Sequence, residues 1–374
     1  MITGFANHRT IPEHRKLQPG GGPHTSYCNR RIFSTSIGPV TTFPADYSAF
    51  GSIDPFYDRA GDRIRWFCPW YISDQAELEG MLDAVAGLEQ RESPGRVTIR
   101  VISRGDLSPQ VGQFLGGRGF HVEARMSLGD ASDRVVTYIA RLRASRRSSP
   151  ADTCSERALL AKINARPRKG AAAIREEFYQ LGGLQVERVG PGTLSAADID
   201  RLIGMHHETF PTFPYEFENK LALMLAAPDG YLMSQVRSGR NGRIYAFSNL
   251  EINTVTMPDG SDLCLAEYDN TMRITTCPEL GKLKSLGAML RLELALRARD
   301  RGVDLCHAES RASLGAINRI SYDLGMNFGG TLEKHLLISG PSDVNYQYPS
   351  RLESMNVWYL NRSQLAALET YPAL

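Results

Sequence analysis

Alternating and helically spaced apolar residues divide the chain into two α/β stretches joined by a basic, alanine-rich passage. Arg31 to Ile37, "RIFSTSI", and Arg63 to Ile72, "RIRWFCPWYI", alternate as strands. "DQAELEGMLDAVAGLEQRE" then sets Leu78, Met81, Leu82, Val85 and Leu88 at three- and four-residue steps, which predicts a helix. "RVTIRVI" returns to a strand after Pro94-Gly95. "LSPQVGQFLGGRGFHVEARMSL" reads as a glycine-closed helix and a strand, and "RVVTYIARLRA" as one more strand. These elements predict a small α/β domain over 24–147, after a disordered segment 1–23.

Residues 148–183 are expected to form a helical linker, a solvated tether carrying one or two surface helices. No aromatic residues interleave with its arginines, which argues against a nucleic-acid patch. A second unit, 184–374, opens on the strand "LQVERVG". "LSAADIDRLIGMHHETF" is helical with Ser195 as its cap, and "LALMLA" continues the helical run. "GYLMSQVR", "GRIYAFSNLEIN" and "LCLAEYDNTMRIT" predict three successive strands. A long helix in "CPELGKLKSLGAMLRLELAL", a strand in "VDLCHAES", a helix in "GAINRISYDLG" and a closing strand in "TLEKHLLI" complete a mixed sheet. The fold class is therefore α/β in the α+β sense.

Charge narrows the partners. Lys+Arg 43 against Asp+Glu 41 gives a net charge of +2, so no global field points to nucleic acid or an anionic membrane. Small molecules or proteins are the expected partners. The six cysteines, Cys28, Cys68, Cys154, Cys264, Cys277 and Cys306, form no C-x-x-C pair, which fits a reducing cytoplasm. No run reaches the ~18 apolar residues of a membrane span. His206 and His207 diverge on a helix and lack a third ligand, so no metal site is expected.

One junction carries candidate chemistry. "TTCPELGKLKSLGAML" runs strand, turn, helix, an order in which free amides and a helix dipole can face a pyrophosphate. Lys282 and Lys284 add charge, while Gly281, Ser285, Gly287 and Ala288 keep side chains small where backbone approaches a ligand. An ordinary strand–turn–helix junction has the same look.

The order of elements around that junction resembles the Gcn5-related N-acetyltransferase superfamily, whose acetyl-CoA loop sits at this point. Lys282, Leu283, Lys284, Ser285, Leu286 and Gly287 stand at the loop positions, with Ser285 where the family has Gly. "TFPTFPYEF", "AEYDNT", "SRASLGAINRISYDLGMNFGGTLEKH" and "LESMNVWYL" together look like the beta-lysine N-acetyltransferase family within it. Arg311, Asn318, Gly325 and Gly329-Gly330-Thr331-Leu332 match that family's spacing, and the likeness runs from His24 to Leu360. The loop and the longer "EYDNTMRITTCPEL" passage depart from the pattern.

The resemblance implies an acetyl-CoA-dependent transfer to the amine of a small diamino acid. It implies that Glu267 is the base, with Asp269 in reserve, against a reading of both as surface or ion-pair acids. It places the acid for the leaving thiolate at Ser321, where the family has Tyr, or at its neighbour Tyr322, or leaves the protonation of CoA to solvent. The backbone of Ile274, Thr275 and Thr276, the loop from Lys282 to Ala288 and Asn318 would hold the cofactor. Phe213, Pro214, Tyr215, Arg311, Asn356, Trp358 and Tyr359 would line the amine pocket, with core packing the better reading of Trp358. The first domain is expected to be a degenerate copy of the same fold, shaping the acceptor pocket or a homodimer contact. Two other readings stay open: a different acceptor amine, and a degenerate acyl-CoA fold serving as a sensor or assembly partner.

Overall fold

The computed structural model describes residues 55–58, 61–72, 75–129, 133–210, 217–257, 259–274, 284–338 and 352–368. The predicted strand 31–37 lies outside them. The first half runs β1 (Phe56–Asp58), β2 (Arg63–Tyr71), α1 (Gln75–Glu92), β3 (Arg96–Arg104), α2 (Pro109–Gly117), β4 (His121–Ser127) and β5 (Arg134–Leu142). Helices α3 (Pro150–Asn164) and α4 (Gly170–Tyr179) follow. The second half runs β6 (Leu184–Val189), α5 (Ala196–Thr209), α6 (Phe217–Ala226), β7 (Tyr231–Ser238), β8 (Ile244–Thr256), β9 (Asp262–Arg273), α7 (Lys284–Asp300), β10 (Leu305–Arg311), α8 (Gly315–Asp323), β11 (Asn327–Leu337), β12 (Leu352–Asn361) and α9 (Arg362–Ala366). Ser195 caps α5 in a reciprocal box with Asp198, as its position predicts.

Among the described residues the strands form one mixed sheet in the order β1-β2-β3-β5-β4-β11-β12-β10-β9-β8-β7-β6. Two parts of it share a topology. In the first half β2 is parallel to β3, and β3, β5 and β4 follow antiparallel. In the second, β9 is parallel to β10, and β10, β12 and β11 follow antiparallel. The first half thus repeats the path β9-α7-β10-α8-β11-β12, which gives the expected copy a concrete form.

The copies meet where Gly330 of β11 pairs with Ala124 of β4. Gly330 has φ 144°, and a Cβ there would strike the carbonyl of Glu123 and come 2.7 Å from the Ala124 Cα. The glycine pair is therefore set by close backbone approach. Next to the seam β11 bulges between Leu332 and Leu336, and three buried arginines of the first half take its turned-out carbonyls. Arg96 donates to Glu333 O, Arg146 to Lys334 O and Arg63 to His335 O. Arg96 also pairs with Glu123, and Arg63 with Asp58 at 2.7 Å. Such pairing offsets the several kcal/mol that burying an unpaired charge costs.

Apolar cores fix the rest. One packs α4 to α8 against the sheet, with Leu290, Leu294, Phe217 and Trp358 inside. Another lies between the halves, joining Ile102, Met126 and Tyr138 to Leu265, Leu305 and Val357. At ~25 cal/mol per Å² of apolar surface, such burial is the main force holding the halves face to face.

Two expectations change. The 148–183 segment is no tether: Ile174 and Phe178 of α4 enter the main core, and Arg319 of α8 donates to Pro167 O at 2.7 Å. The closing strand is not "TLEKHLLI" but β12, inserted between β10 and β11. Its polar start, Glu353, Ser354 and Asn356, hid a strand that is buried because both edges are paired.

Candidate functional site

The β9–β10 ladder opens part-way along. The strands pair from Leu305↔Leu265 to Ala308↔Tyr268 and no further, although β9 continues to Arg273 and β10 to Arg311. In the first half, β2 and β3 stay paired beyond their bulge to Tyr71↔Ile102, so the corresponding gap is closed. At the opening, Ile274 donates its amide to Tyr245 O, toward β8. Strand alternation then turns the Arg273 amide to the opposite edge, facing the gap.

One face of the sheet there is rich in ionisable groups. Cross-strand register sets Glu251, Glu267, His307 and Tyr359 in a row across β8, β9, β10 and β12. Glu267 keeps 20% of its side-chain surface open. From the first half, Arg100 reaches Glu267 at 3.1 Å and His307 Nε2 at 3.4 Å. Burial pushes the Glu267 carboxyl up to about 7; Glu309 adds to the rise and Arg100 opposes it. Burial pushes Glu309 up too, but His335 at 3.2 Å and two arginines outweigh this and hold it well below the usual carboxylate range. Tyr138 donates to Glu309 at 3.1 Å. His307 is kept neutral, its pKa lowered to about 3 by burial and by Arg100.

Asp269 lies two residues along β9 and 3.7 Å from Lys220 of α6, which also bonds Glu251 at 2.5 Å. Burial works against the Lys220 charge, but Glu251 and Asp269 raise its pKa above the ordinary value, so it stays an ammonium. Asp269 is thereby part of an ion-pair triad, while the raised Glu267 carboxyl has the character of a proton acceptor near neutrality.

On the opposite face, α7 and α8 close over the opening. Arg291 of α7 is buried and donates from Nε to Thr271 Oγ1 at 3.1 Å and from Nη1 to Ser321 Oγ at 2.9 Å. Its guanidinium carbon lies 4.9 Å from the Tyr268 ring centre. Ser310, on β10 beyond the last ladder pair, is buried, and its hydroxyl has no hydrogen-bond partner among the described residues.

The expected site residues separate accordingly. Phe213, Pro214, Tyr215, Thr275, Thr276, Lys282 and Leu283 lie outside the described residues, and Lys284 and Ser285 are described only as helical backbone. Leu286 and Ala288 pack in the main core, and so does Ile274, whose amide is already used. Gly287 is small for packing rather than for a ligand, since a Cβ there would meet Ile320 Cδ1 at 3.1 Å and Thr271 Cγ2 at 3.4 Å. Asn318 spends its whole amide inside the protein, donating to Arg311 O and Leu314 O and accepting from Asn356 Nδ2 and Trp358 Nε1. Asn318, Asn356 and Trp358 are thus a buried network and not pocket walls. Arg311 is buried and supplies its carbonyl to that network, while Tyr359 shares the face of Glu267. Ser321 accepts from Arg291, and the Tyr322 hydroxyl donates to Asn164 O at 3.1 Å, toward α3.

Arg100, His307, Lys220 and Arg291 went unrecognised in the sequence. Arg100 and Glu267 are 167 positions apart, and no local spacing announces such a pair. Among the described residues there is no group of three ligands suited to a metal, and no helix is long and apolar enough to cross a membrane.

No protein-family model matches the chain, and no curated protein matches it. Solved structures do. The ribosomal-protein-S18-alanine N-acetyltransferase from Escherichia coli is similar over 48% of this chain and 93% of its own, at 20% identity and TM-score 0.33. Spermidine N-acetyltransferase SpeG from Vibrio cholerae is similar over 50% and 97%, at 12% identity and TM-score 0.34. Arabidopsis thaliana NAA60 in complex with acetyl-CoA is similar over 48% and 99%, at 12% identity and TM-score 0.36. Solved N-acetyltransferases are what about half of this chain is similar to.

Proposed function

We propose that the chain is an acetyl-CoA-dependent N-acetyltransferase that acetylates the amine of a small diamino acid of the beta-lysine kind, by direct transfer in a ternary complex. The observation that carries this reading is the opened β9–β10 ladder, with Glu267 on one face and, on β10, the buried Ser310 hydroxyl, which has no partner among the described residues. An acyl-pantetheine arm is extended and carries amides, so a strand edge bearing the Arg273 amide suits it. Bound there, acetyl-CoA supplies an activated acyl carbon.

The side chains of this protein divide the remaining work. Glu267 takes the proton from the acceptor ammonium, with a pKa near neutrality suited to that transfer. Arg100 keeps part of the carboxyl population ionised and holds its orientation. Glu251 and Asp269, beside Glu267, favour a cationic acceptor, in keeping with a second ammonium on a diamino acid. A second reading, acyl-CoA binding without turnover, draws on one observation: Ser321 and Tyr322 both spend their hydroxyls within the protein.

Calorimetric titration of acetyl-CoA into the protein tests the first part. Thiol release across a panel of diamino acids, polyamines and aminoglycosides tests the second. Binding with release on diamino acids supports the proposal. Binding without release on any amine favours the second reading, and no binding overturns both.

A further inference from the structure

A buried guanidinium stands at the opening with no carboxylate to balance it among the described residues. Arg291 is 3% exposed, and the partners that hold it among the described residues are two hydroxyls and the Tyr268 ring. Arg63, Arg96, Arg100 and Arg146, buried to a similar degree, have acidic or carbonyl partners: Asp58, Glu123, Glu267 and the Lys334 carbonyl in turn. A desolvated cation held only by neutral groups costs several kcal/mol, and that cost is offset when an anion arrives. Its pKa is lowered to about 10 by burial, so the group remains a cation at neutral pH.

Its position names the anion. Thr271 belongs to β9 beyond the last ladder pair, and Ser321 to the helix that follows β10, so Arg291 bridges the strand and the helix that flank the gap. Cys306 and Ala308 pack in the core on the α7 side, and alternation puts Ser310 on that same face. Glu267 lies on the other face. An amine that gives its proton to Glu267 therefore meets the acyl carbon from one side of the gap, and the group that departs does so toward Arg291.

Resting on the acetyltransferase reading, we infer that Arg291 is a catalytic residue that stabilises the CoA thiolate as it leaves, in place of a tyrosine acid. Glu267 takes the first proton from the ammonium and passes it to solvent across its open edge. The neutral amine nitrogen then forms the new N–C bond, the C–S bond breaks with its electron pair going to sulfur, and the second N–H proton passes to the Glu267 carboxylate so regenerated. The guanidinium faces that negative charge, and the sulfur needs no proton until the product is free. Ser321 positions Arg291 by accepting its Nη1–H.

The test needs no acceptor. Ultraviolet titration of the thiolate in the CoA complex gives the thiol pKa of bound CoA for wild type, Arg291→Lys and Arg291→Gln, with calorimetry reporting CoA affinity alongside. Free CoA titrated in the same buffer gives the reference value. We expect the bound thiol to titrate at least about one pH unit lower in wild type, to stay lowered in Arg291→Lys, and to return to the free value in Arg291→Gln. A bound thiol at its free value in wild type overturns the assignment, even if Arg291→Gln fails to fold. Equal lowering in wild type and Arg291→Gln overturns it too. Wild type that binds no CoA is a separate result, which overturns the acetyl-CoA reading itself and the assignment with it.

Discussion

Arg100 and Glu267 come from opposite halves of the chain, and their side chains meet at 3.1 Å. The candidate base is therefore held by a residue of the unit whose own β2–β3 ladder is closed. A copy that offers no opening of its own contributes a charge to its partner's.

Removing that charge has a signed consequence. Arg100 favours the ionised form of Glu267 against burial, so Arg100→Gln raises the carboxyl pKa further. The rising limb of kcat/KM against pH, expected near 7 in wild type, should move up by about one pH unit. A limb that stays in place would show that Arg100 serves packing alone.

Glu267→Gln should keep acetyl-CoA affinity and lose ~10²–10⁴-fold in kcat, the usual weight of a positioned base. Asp269→Asn disturbs the Lys220 triad instead, and its effect should appear as lower thermal stability with a smaller loss of turnover. Comparing kcat and melting temperature for the two variants separates the roles.

Asn318→Leu strands the Asn356 amide and the Trp358 indole N–H, each an unsatisfied buried donor. The expected cost is ~1–3 kcal/mol per group in urea unfolding, with acetyl-CoA affinity unchanged in the folded fraction. A selective loss of affinity at unchanged stability would return Asn318 to the cofactor site.

Gly330→Ala drives a methyl into β4 at the seam. Backbone strain and overpacking together predict a loss of more than ~2 kcal/mol, measured as a fall in melting temperature, whereas the exposed helix site Gly80→Ala should be neutral or mildly stabilising.

Acid should weaken the fold from about pH 6.5 downward. His206 and His307 have folded-state pKa values lowered to about 3, so the unfolded chain binds more protons between 3 and 6.5 and stability falls with pH across that window. Glu267 has the opposite sign: its raised pKa makes the folded state bind more protons between about 4.5 and 7, which offsets part of the loss. His206→Phe, which keeps the stacking on Phe217 at 4.3 Å, should flatten the slope of melting temperature against pH.

Local pattern was enough for most elements, because helical spacing and strand alternation are written in residues a few positions apart. Leu78 to Leu88 specified α1, Ser195 capped α5, and the order β9-α7-β10-α8 was readable with Glu267 in it. Which strands pair, and which part, depends on contacts far apart in the chain. Tertiary structure alone decided that β12 enters between β10 and β11, that Gly329 and Gly330 serve a seam, and that Asn318 is spent on Trp358. It also decided that Arg100 reaches Glu267 and that Arg291 stays without a carboxylate among the described residues, because a charge is tuned by what surrounds it in space and not by its neighbours in sequence.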